Sequence, residues 1–214
     1  VAISVPSFFL LRRQPEDHGL LPDGIGPSYP DSGAPQAPDD EVSWTLAEAR
    51  RTKAFWLITL FLMCTPFVQG ATNLHMVANF QDRGLPDALA VSVTFIFGVT
   101  SAASIVPVGL ILERIHVRIG AMVQAVLVLL SMLLLQVADN YPMLIAFGLV
   151  FGIGAGMRNV VEVLLVANYF GRGSLGAIKG YTAPFRAVSP VGAVLAGVLF
   201  DKTGSYSLAF WLFA

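Results

Sequence analysis

The sequence predicts an all-α membrane protein that crosses the bilayer several times. Hydrophobic residues make up 55% of the 214 residues and charged residues only 13%, against roughly 25% charged in a typical soluble domain. The charges are concentrated before residue 54, and long uncharged segments fill much of the remaining chain. These segments lack the period-two alternation of a barrel strand, so helices are the expected way to satisfy the backbone in lipid.

Five segments have the length of a transmembrane span. The hydrocarbon core of a bilayer needs about 20 residues of apolar helix, and an uncharged run of 18 or more marks a candidate. The predicted spans are residues 54–81, 88–112, 119–138, 140–170 and 174–200. The first three contain no Asp, Glu, Lys or Arg, whereas the last two carry charges. Because the connectors are short, we expect neighbouring spans to be antiparallel.

The basic residues in the connectors predict the orientation of the spans. Alternate connectors lie on the same side of the membrane, and Lys and Arg accumulate on the cytoplasmic side. One side carries only Arg83 and Lys202. The other side carries Arg12, Arg13, Arg50, Arg51, Lys53, Arg114, Arg118 and Arg172. We therefore expect an integral, multi-pass protein of the plasma (inner) membrane, with the second set of residues in the cytoplasm.

The chain divides into three predicted regions. Residues 1–11 are apolar and shorter than a span, so we expect them to be the end of a transmembrane helix whose beginning is missing. Residues 12–53 are rich in proline, glycine and acidic residues and predict a cytoplasmic loop, either a solvated tether or a docking segment. Thr45 and Glu48 have the spacing of a capping box for a short helix in this loop. Residues 54–214 form the transmembrane bundle, which is expected to stop inside a further helix.

Four charged side chains lie inside the predicted spans: Arg158, Glu162, Lys179 and Arg186. Charge inside a membrane is costly, and such residues usually face a bundle interior or a wet cavity. At about 1.5 Å per residue, Arg186 lies roughly 18 Å from residue 174, near the middle of the bilayer, and Arg158 has a similar depth. The simplest arrangement is a water-filled cavity with net positive charge. Such a cavity suits an organic anion, because guanidinium can hold a carboxylate with two parallel hydrogen bonds.

Each of these four residues also has an alternative role. Arg158 and Glu162 are spaced i,i+4 and could form an ion pair on one helix. Lys179 could extend its amine to the lipid headgroups. Arg186 has no acidic residue at i±3 or i±4, so it either contacts the substrate or meets a partner on another helix. Glu162 could take up a proton during transport, because burial favours the neutral carboxyl, whereas a nearby Arg158 favours the charged one.

Other polar and small residues in the spans indicate helix packing. Gln69, Asn73 and His75 in the outer half of the first span predict either hydrogen bonds between helices or a role in lining the pathway. Close helix contact is predicted for the four glycines of the fourth span, Gly148, Gly152, Gly154 and Gly156. Residues 119–138 carry no charge and predict a lipid-facing support helix.

Several function classes find no support in the sequence. The net charge of −1 gives no electrostatic reason to expect a nucleic acid as partner. The single cysteine, Cys64, lies in an apolar span, and no Cys/His cluster has metal-ligand spacing. The sequence contains neither H-E-x-x-H nor G-x-S-x-G. We therefore expect no enzyme activity, no catalytic residue, no metal and no cofactor.

The connector after the second span resembles a family motif. Residues 109–118 read G-L-I-L-E-R-I-H-V-R, which is similar to the loop motif G-x-L-x-D-R-x-x-R-R of the major facilitator superfamily between its helices 8 and 9. Ile111 and Val117 depart from this motif. Four positions match it, with Glu in place of Asp: Gly109, Glu113, Arg114 and Arg118. Residues 169–172 and 201–206 look like the loops that flank helix 11 in the monocarboxylate transporter and oxalate/formate antiporter group of this superfamily.

The resemblance implies the C-terminal six-helix bundle of a twelve-helix major facilitator fold, truncated at both ends. Residues 1–11 would end helix 6, the five spans would be helices 7 to 11, and helix 12 would start near residue 206. The implied mechanism is alternating access, with the substrate at the midplane between the two halves. The implied partners are a small organic anion, the lipid bilayer and the missing N-terminal six-helix half.

The resemblance also implies roles for individual residues. In oxalate/formate antiporters a basic residue on helix 11 holds the carboxylate, a role that either Arg186 or Lys179 could fill here. Our hypothesis is that Arg186 binds the carboxylate and that Lys179 and Arg158 add positive potential. The loop with Glu113 and Arg114 is expected to act as a cytoplasmic gate. The second span lacks the Asp and Arg that animal monocarboxylate transporters carry on helix 8, so their proton–lactate symport mechanism is not implied. The alternatives are a transporter of a non-anionic small solute and a non-transporting membrane sensor on the same scaffold.

Overall fold

A computed structural model describes residues 44–171 and 173–213 of the chain. The predicted end of a helix at residues 1–11, most of the predicted 12–53 loop, Arg172 and Ala214 lie outside the described residues. The described part is helical, which agrees with the predicted all-α class. Its helices are α1 (Leu46–Ala49), α2 (Lys53–Asp82), α3 (Asp87–Leu112), α4 (Val117–Val137), α5 (Tyr141–Phe170), α6 (Leu175–Arg186), α7 (Ser189–Thr203) and α8 (Ser207–Phe213).

Within the described residues, five segments are long and apolar enough to cross a membrane: α2, α3, α4, α5 and the pair α6–α7, which together cover Leu175–Thr203. By the length and composition of these helices, the protein is an integral, multi-pass membrane protein. The bounds of the segments agree with the predicted spans to within a few residues. The last segment differs in one respect, because its helix is interrupted at Ala187 and Val188.

Side-chain caps determine where two of the spans begin. The Thr52 hydroxyl accepts a hydrogen bond from the Phe55 N–H at 3.2 Å and caps α2. The Asn140 side-chain oxygen accepts one from the Met143 N–H at 3.1 Å and caps α5. Each cap satisfies an N–H that has no partner within its own helix.

The core of the bundle is concentrated at its two ends. At one end, α1 and the start of α2 pack against the end of α5 and the start of α6. The buried residues of this cluster are Ala49, Phe55, Leu62, Val166, Phe170 and Ile178. At the other end, the end of α2, the start of α3, the end of α4 and the start of α5 meet, through residues that include Met76, Phe80, Ala90, Val93, Met132, Leu135, Leu144 and Phe147. Neighbouring spans are therefore antiparallel, as the short connectors predict.

Glycines set the distance between α3 and α5. Gly148, Gly152 and Gly156 follow one another at four-residue spacing and so lie on one face of α5. A β-carbon at Gly152 would lie 2.7 Å from the Thr100 Cβ atom and 2.9 Å from the Phe97 carbonyl oxygen, both on α3. β-Carbons at the other two positions would also collide with α3. The predicted close helix contact is confirmed for this face.

Two further glycines bring α7 against α2. A β-carbon at Gly70 would lie 2.7 Å from the Ser189 carbonyl oxygen, and one at Gly192 would collide with the Phe67 carbonyl oxygen. Because these neighbours are backbone atoms, no side-chain rotation could make room for a β-carbon. The first turn of α7 is therefore fixed on α2.

The helix α4 lies on the outside of the described bundle and packs on α5. Its outward face is apolar and exposed, at Ile119, Met122, Val126, Leu130 and Leu133 among others. Its inner face holds Gln124, which is fully buried. This distribution is the one that a lipid-facing support helix requires.

The short helix α1 carries the predicted capping box. The Thr45 hydroxyl accepts a hydrogen bond from the Glu48 N–H at 3.3 Å, and the Glu48 carboxylate accepts one from the Thr45 N–H at 2.9 Å. The hydrogen bonds from the Thr45 backbone and side chain stabilise the carboxylate and hold the pKa of Glu48 below its ordinary value. The negative charge of Glu48 and the capping hydrogen bonds with Thr45 therefore stabilise each other at the start of α1.

The segment around α1 is attached to the end of the bundle. The Trp44 N–H donates to the Phe170 carbonyl oxygen at the end of α5, at 3.0 Å. The guanidinium carbon of Arg50 lies 5.2 Å from the centre of the Tyr181 ring on α6, within the range of a cation–π interaction. The Trp56 indole N–H donates to the Arg50 carbonyl oxygen at 3.0 Å. The last residues of the predicted 12–53 loop thus pack on the bundle, whereas its two predicted roles, tether and docking segment, stay predictions.

Candidate functional site

The interior charges of α5 and α6 meet in an ion pair between helices. Glu162 on α5 accepts a hydrogen bond through its Oε1 atom from the Nη1 atom of Arg186, the last residue of α6. The two side chains are 29% (Arg186) and 17% (Glu162) exposed, so neither is sealed from its surroundings. Arg186 thus has the partner on another helix that the sequence left as one of two alternatives.

The partner of Glu162 differs from the one that helical spacing suggests. Among the described residues, the salt bridge of this carboxylate is with Arg186 and not with Arg158 at i−4. The order along the helix gives a physical reason. An acidic residue is better placed N-terminal to a basic one than after it, and Arg158 precedes Glu162.

Arg158 brings a second guanidinium to the same region. It lies one turn before Glu162 on α5. Its Nε atom is buried without a hydrogen-bond partner in the described part of the chain, and the Nε atom of Arg186 is in the same condition. Buried donors are normally satisfied, so each of these two donors indicates a place for an acceptor.

The interruption of the fifth span occurs directly after Arg186. The Ala187 N–H donates to both the Ala183 and Pro184 carbonyl oxygens, at 3.1 and 3.2 Å, which tightens and ends α6. Pro190 lacks an N–H and cannot continue the ladder back to the Arg186 carbonyl. Arg186 consequently lies at the C-terminal end of a helix, where the helix dipole favours a cation.

Lys179 lies on α6, seven residues before Arg186, and its side chain is partly buried. The spacing corresponds to roughly 10 Å along the helix axis, towards the connector with α5. Lys179 is therefore less deep in the span than the two arginines. Both of its predicted roles, positive potential and extension to the headgroups, are compatible with this position.

The predicted gate lies at the junction of α3 and α4. Gly109 is in the last turn of α3, and its carbonyl oxygen accepts the N–H of Glu113 at 3.1 Å. The side chains of Glu113, Arg114 and Arg118 are exposed. His116 caps α4 through its Nδ1 atom, which accepts the Arg118 N–H at 3.2 Å. The loop is thus well ordered locally and presents its charged side chains outwards, while the gating role stays a prediction.

The polar residues of α2 have different surroundings. His75 bridges helices, with its Nε2 atom 2.9 Å from the Ala193 carbonyl oxygen on α7 and its Nδ1 atom 3.2 Å from the Tyr206 hydroxyl. Gln69 is buried, and its Nε2 atom has no partner among the described residues. Asn73 is exposed. The predicted inter-helix hydrogen bonds are thus observed for His75. No local sequence pattern could have identified Tyr206 as its partner.

Two cavities lie beside α2 and α7 and not at the charged residues. One, of about 420 Å³, is apolar and is lined by Met63, Cys64, Phe67, Val68, Val188, Val191, Leu212 and Phe213. The other, of about 450 Å³, is lined by Gly70, Asn73, Leu74, Ser189, Pro190, Ala193 and Val194. Neither of these two cavities is lined by a charged side chain.

Within residues 44–171 and 173–213, no group of three or more His, Cys, Asp or Glu side chains is placed to hold a metal ion. No family model matches the chain, and a search of curated proteins finds no significant match. The resemblance to the major facilitator superfamily therefore rests on the residues of the sequence alone.

Proposed function

We propose that this chain is part of a secondary transporter that carries a small organic anion, a carboxylate, across the membrane by alternating access. The observation that carries the proposal is the pair of arginines inside the spans, Arg158 and Arg186, each with a buried Nε atom that has no partner among the described residues. Among the described residues inside the spans, the acidic residue that lies with them is Glu162. Charge is costly inside a membrane, and it usually marks a substrate or ion pathway.

The chemistry of guanidinium favours an anion as the substrate. Each guanidinium has five N–H donors and no acceptor, and Glu162 occupies a donor of Arg186 alone. The remaining donors can hold a carboxylate by parallel hydrogen bonds, which fixes its orientation as well as its charge. Arg186 is the proposed anchor, and Arg158 and Lys179 add positive potential around it.

The interruption after Arg186 supports a transport cycle. Transporters commonly build their substrate sites from discontinuous helices near the bilayer midplane. Arg186 lies at the end of such a half-helix, and its partner Glu162 belongs to a different helix. A substrate that binds Arg186 competes with Glu162 and can loosen α6 from α5. The exposed loop with Glu113, Arg114 and Arg118 would close the cytoplasmic entrance, and the N-terminal half implied by the resemblance would form the opposite wall.

The test uses the full-length protein in proteoliposomes loaded with single carboxylates: formate, oxalate, lactate, pyruvate or a larger dicarboxylate. Counterflow is measured for the wild type and for Arg186→Gln, with Arg51→Gln as a control because Arg51 is exposed and lies outside the spans. We expect uptake of at least one anion by the wild type and the control. In Arg186→Gln, uptake should fall by about tenfold or more, the cost of one charge-assisted hydrogen-bonded contact.

Two results would change the proposal. Uptake that survives Arg186→Gln would keep the transporter class and move the anchor to Arg158 or Lys179. Absence of flux for every anion, with the protein folded and inserted, would overturn anion transport and favour the sensor or a non-anionic solute.

A further inference from the structure

Gln124 is an amide that the outer helix α4 buries completely. Its side chain has no exposed surface, and neither its Oε1 nor its Nε2 atom has a hydrogen-bond partner within residues 44–171 and 173–213. A buried amide without partners is costly, and buried polar groups normally have one. A helix that only faces lipid would be better served by an apolar residue of the same size. The burial of Gln124 therefore indicates a partner inside the bundle.

Two contacts fix the register between α4 and α5. A β-carbon at Gly154 on α5 would lie 3.5 Å from the Leu127 Cβ atom on α4. One at Gly120 on α4 would lie 3.6 Å from the Val161 Cγ2 atom on α5. The later residue of α4 thus meets the earlier residue of α5, as in an antiparallel pair. Between the two contacts, the facing surfaces of the helices stay in register over about two turns.

Gln124 and Arg158 lie between these two contacts. Gln124 follows Gly120 by four residues and therefore shares its face of α4. Arg158 follows Gly154 by four residues and shares its face of α5 in the same way. The antiparallel register places Gln124 opposite Met157, the residue before Arg158. An amide oxygen without a donor and a buried Nε atom without an acceptor, in the part of the chain that the structure describes, thus lie at the same level of one helix interface.

We propose that Gln124 is the positioning residue of Arg158: its Oε1 atom accepts a hydrogen bond from the Arg158 Nε atom and holds the guanidinium in one orientation. A change between side-chain rotamers closes the contact, while the helices keep their register. The consequence for anion binding rests on the proposed function, whereas the contact itself does not.

The neutral amide distinguishes this contact from the ion pair of the same site. Glu162 takes one donor of Arg186 and also compensates its charge, so it competes with an anion. An amide oxygen takes one donor of Arg158 and leaves the charge in place. With the Nε atom occupied, the donors of the two Nη atoms remain, and a carboxylate that forms two parallel hydrogen bonds must use both of them. Gln124 thereby fixes the direction from which Arg158 meets the anion.

A double-mutant cycle on the full-length protein tests the contact. Thermal unfolding in detergent is measured for Gln124→Leu in the wild-type background and in Arg158→Met. In the wild type, Gln124→Leu should lower the unfolding midpoint by about 2 °C or more, because the Arg158 donor loses its acceptor. In Arg158→Met, the same change removes an amide that has already lost its partner. The midpoint should then stay the same or rise.

Gln136→Leu is the matched control on the same helix. The Gln136 Nε2 atom donates to the Ser207 carbonyl oxygen at 2.8 Å. Because this partner is not Arg158, the effect of Gln136→Leu on the midpoint should be equal in the two backgrounds.

Gln124→Glu is a second variant that does not depend on the folding of Arg158→Met. A carboxylate at position 124 can accept a hydrogen bond from Arg158, so the midpoint should not fall. An unpaired carboxylate at a fully buried position would instead lower the midpoint strongly.

Transport provides the readout that a purely structural role would not change. For whichever carboxylate the wild type carries, Gln124→Leu should raise KM by about fivefold, the equivalent of one hydrogen bond. The maximal rate per inserted molecule should change by less than about twofold. A loss of folded protein alone would lower the total rate and leave KM as it was. Gln136→Leu should leave KM within about twofold of the wild type.

Three results overturn the inference. They are an equal effect of Gln124→Leu in the two backgrounds, a midpoint that Gln124→Glu lowers by several degrees, and an unchanged KM in Gln124→Leu. If the wild type carries no carboxylate, the proposed function fails by itself, and the two unfolding experiments still decide whether Gln124 holds Arg158.

Discussion

The fourth and fifth spans both carry interior charges, but they are built differently. The helix α5 runs without interruption from Tyr141 to Phe170, and 56% of the residues in its apolar 18-residue stretch are buried inside the bundle. The pair α6–α7 is nearly as long, but only 17% of the corresponding stretch is buried, and the pair is interrupted after Arg186. The helices α5 and α6 form two walls of the charged site, and the difference shows that these two walls are packed to different extents. The wall on α5 is held in place by extensive packing, whereas α6 buries only Ile178 and Thr182 and adds the ion pair and aromatic contacts.

The largest expected effect comes from breaking the packed wall with Gly152→Ala. The new methyl group would lie 2.7 Å from the Thr100 Cβ atom and 2.9 Å from the Phe97 carbonyl oxygen, so α3 and α5 must separate. We expect a loss of about 2 kcal/mol of stability, in the range of overpacked cores. Thermal unfolding of the purified protein in detergent measures it.

The matched control is Gly180→Ala on α6. A β-carbon at Gly180 meets nothing within 4 Å, so the higher helix propensity of alanine should leave stability unchanged or raise it by up to about 1 kcal/mol. Equal losses at both positions would contradict the difference between the two walls.

The next effect comes from His75, which attaches α7 to α2. His75→Phe keeps an aromatic ring but removes the contacts to the Ala193 carbonyl oxygen and the Tyr206 hydroxyl. We expect a loss of about 1–2 kcal/mol, because both groups lose a partner. Asn73→Ala is the control, since Asn73 is exposed. Chemical denaturation of both variants should show a clear loss for the histidine variant alone.

A smaller effect is expected from Pro190→Ala, which sharpens the comparison by making the fifth span more like the fourth. Alanine supplies an N–H that can donate to the Arg186 carbonyl oxygen and extend the ladder across the interruption. Hydrogen exchange of residues 187–191 should slow by about fivefold, equivalent to one hydrogen bond of about 1 kcal/mol. Pro142→Ala, in the first turn of α5, should leave exchange nearby unchanged. If hydrogen exchange is unchanged in Pro190→Ala, the missing N–H of Pro190 is not the cause of the interruption.

The smallest effect concerns α1, which contacts the ends of both α5 and α6. The hydrogen bonds from Thr45 lower the pKa of Glu48, so the capping box contributes fully above the ordinary value of 4.5 and is lost as the pH falls through the lowered pKa. An NMR titration of the Thr45 amide should therefore show its transition below pH 4.5, and Glu48→Gln should remove that transition. A transition at or above the ordinary value would contradict the cap.

The spans and their antiparallel order were predictable because long uncharged apolar segments leave the backbone no alternative to helix in lipid. The close contacts of Gly148, Gly152 and Gly156 followed from their spacing, although their neighbours on α3 did not. The partner of Glu162 was not predictable, because local spacing identifies neighbours on one helix and Arg186 lies 24 residues away on another. Proline inside a helix favours a bend, and the fifth span contains Pro184 and Pro190. The exact place of the interruption depends on how α7 packs on Gly70.

The single cysteine of the chain lies at an informative position. Cys64 is exposed on the wall of the apolar cavity that Val188 also lines, beside the interruption of the fifth span. Within these 214 residues, a thiol-reactive spin label or fluorophore therefore has one attachment point. The mobility of a spin label there, or the emission of a fluorophore, reports on the surroundings of the cavity wall between α2 and the start of α7. The natural sequence thus already carries a position for a spectroscopic probe beside the interruption of the fifth span.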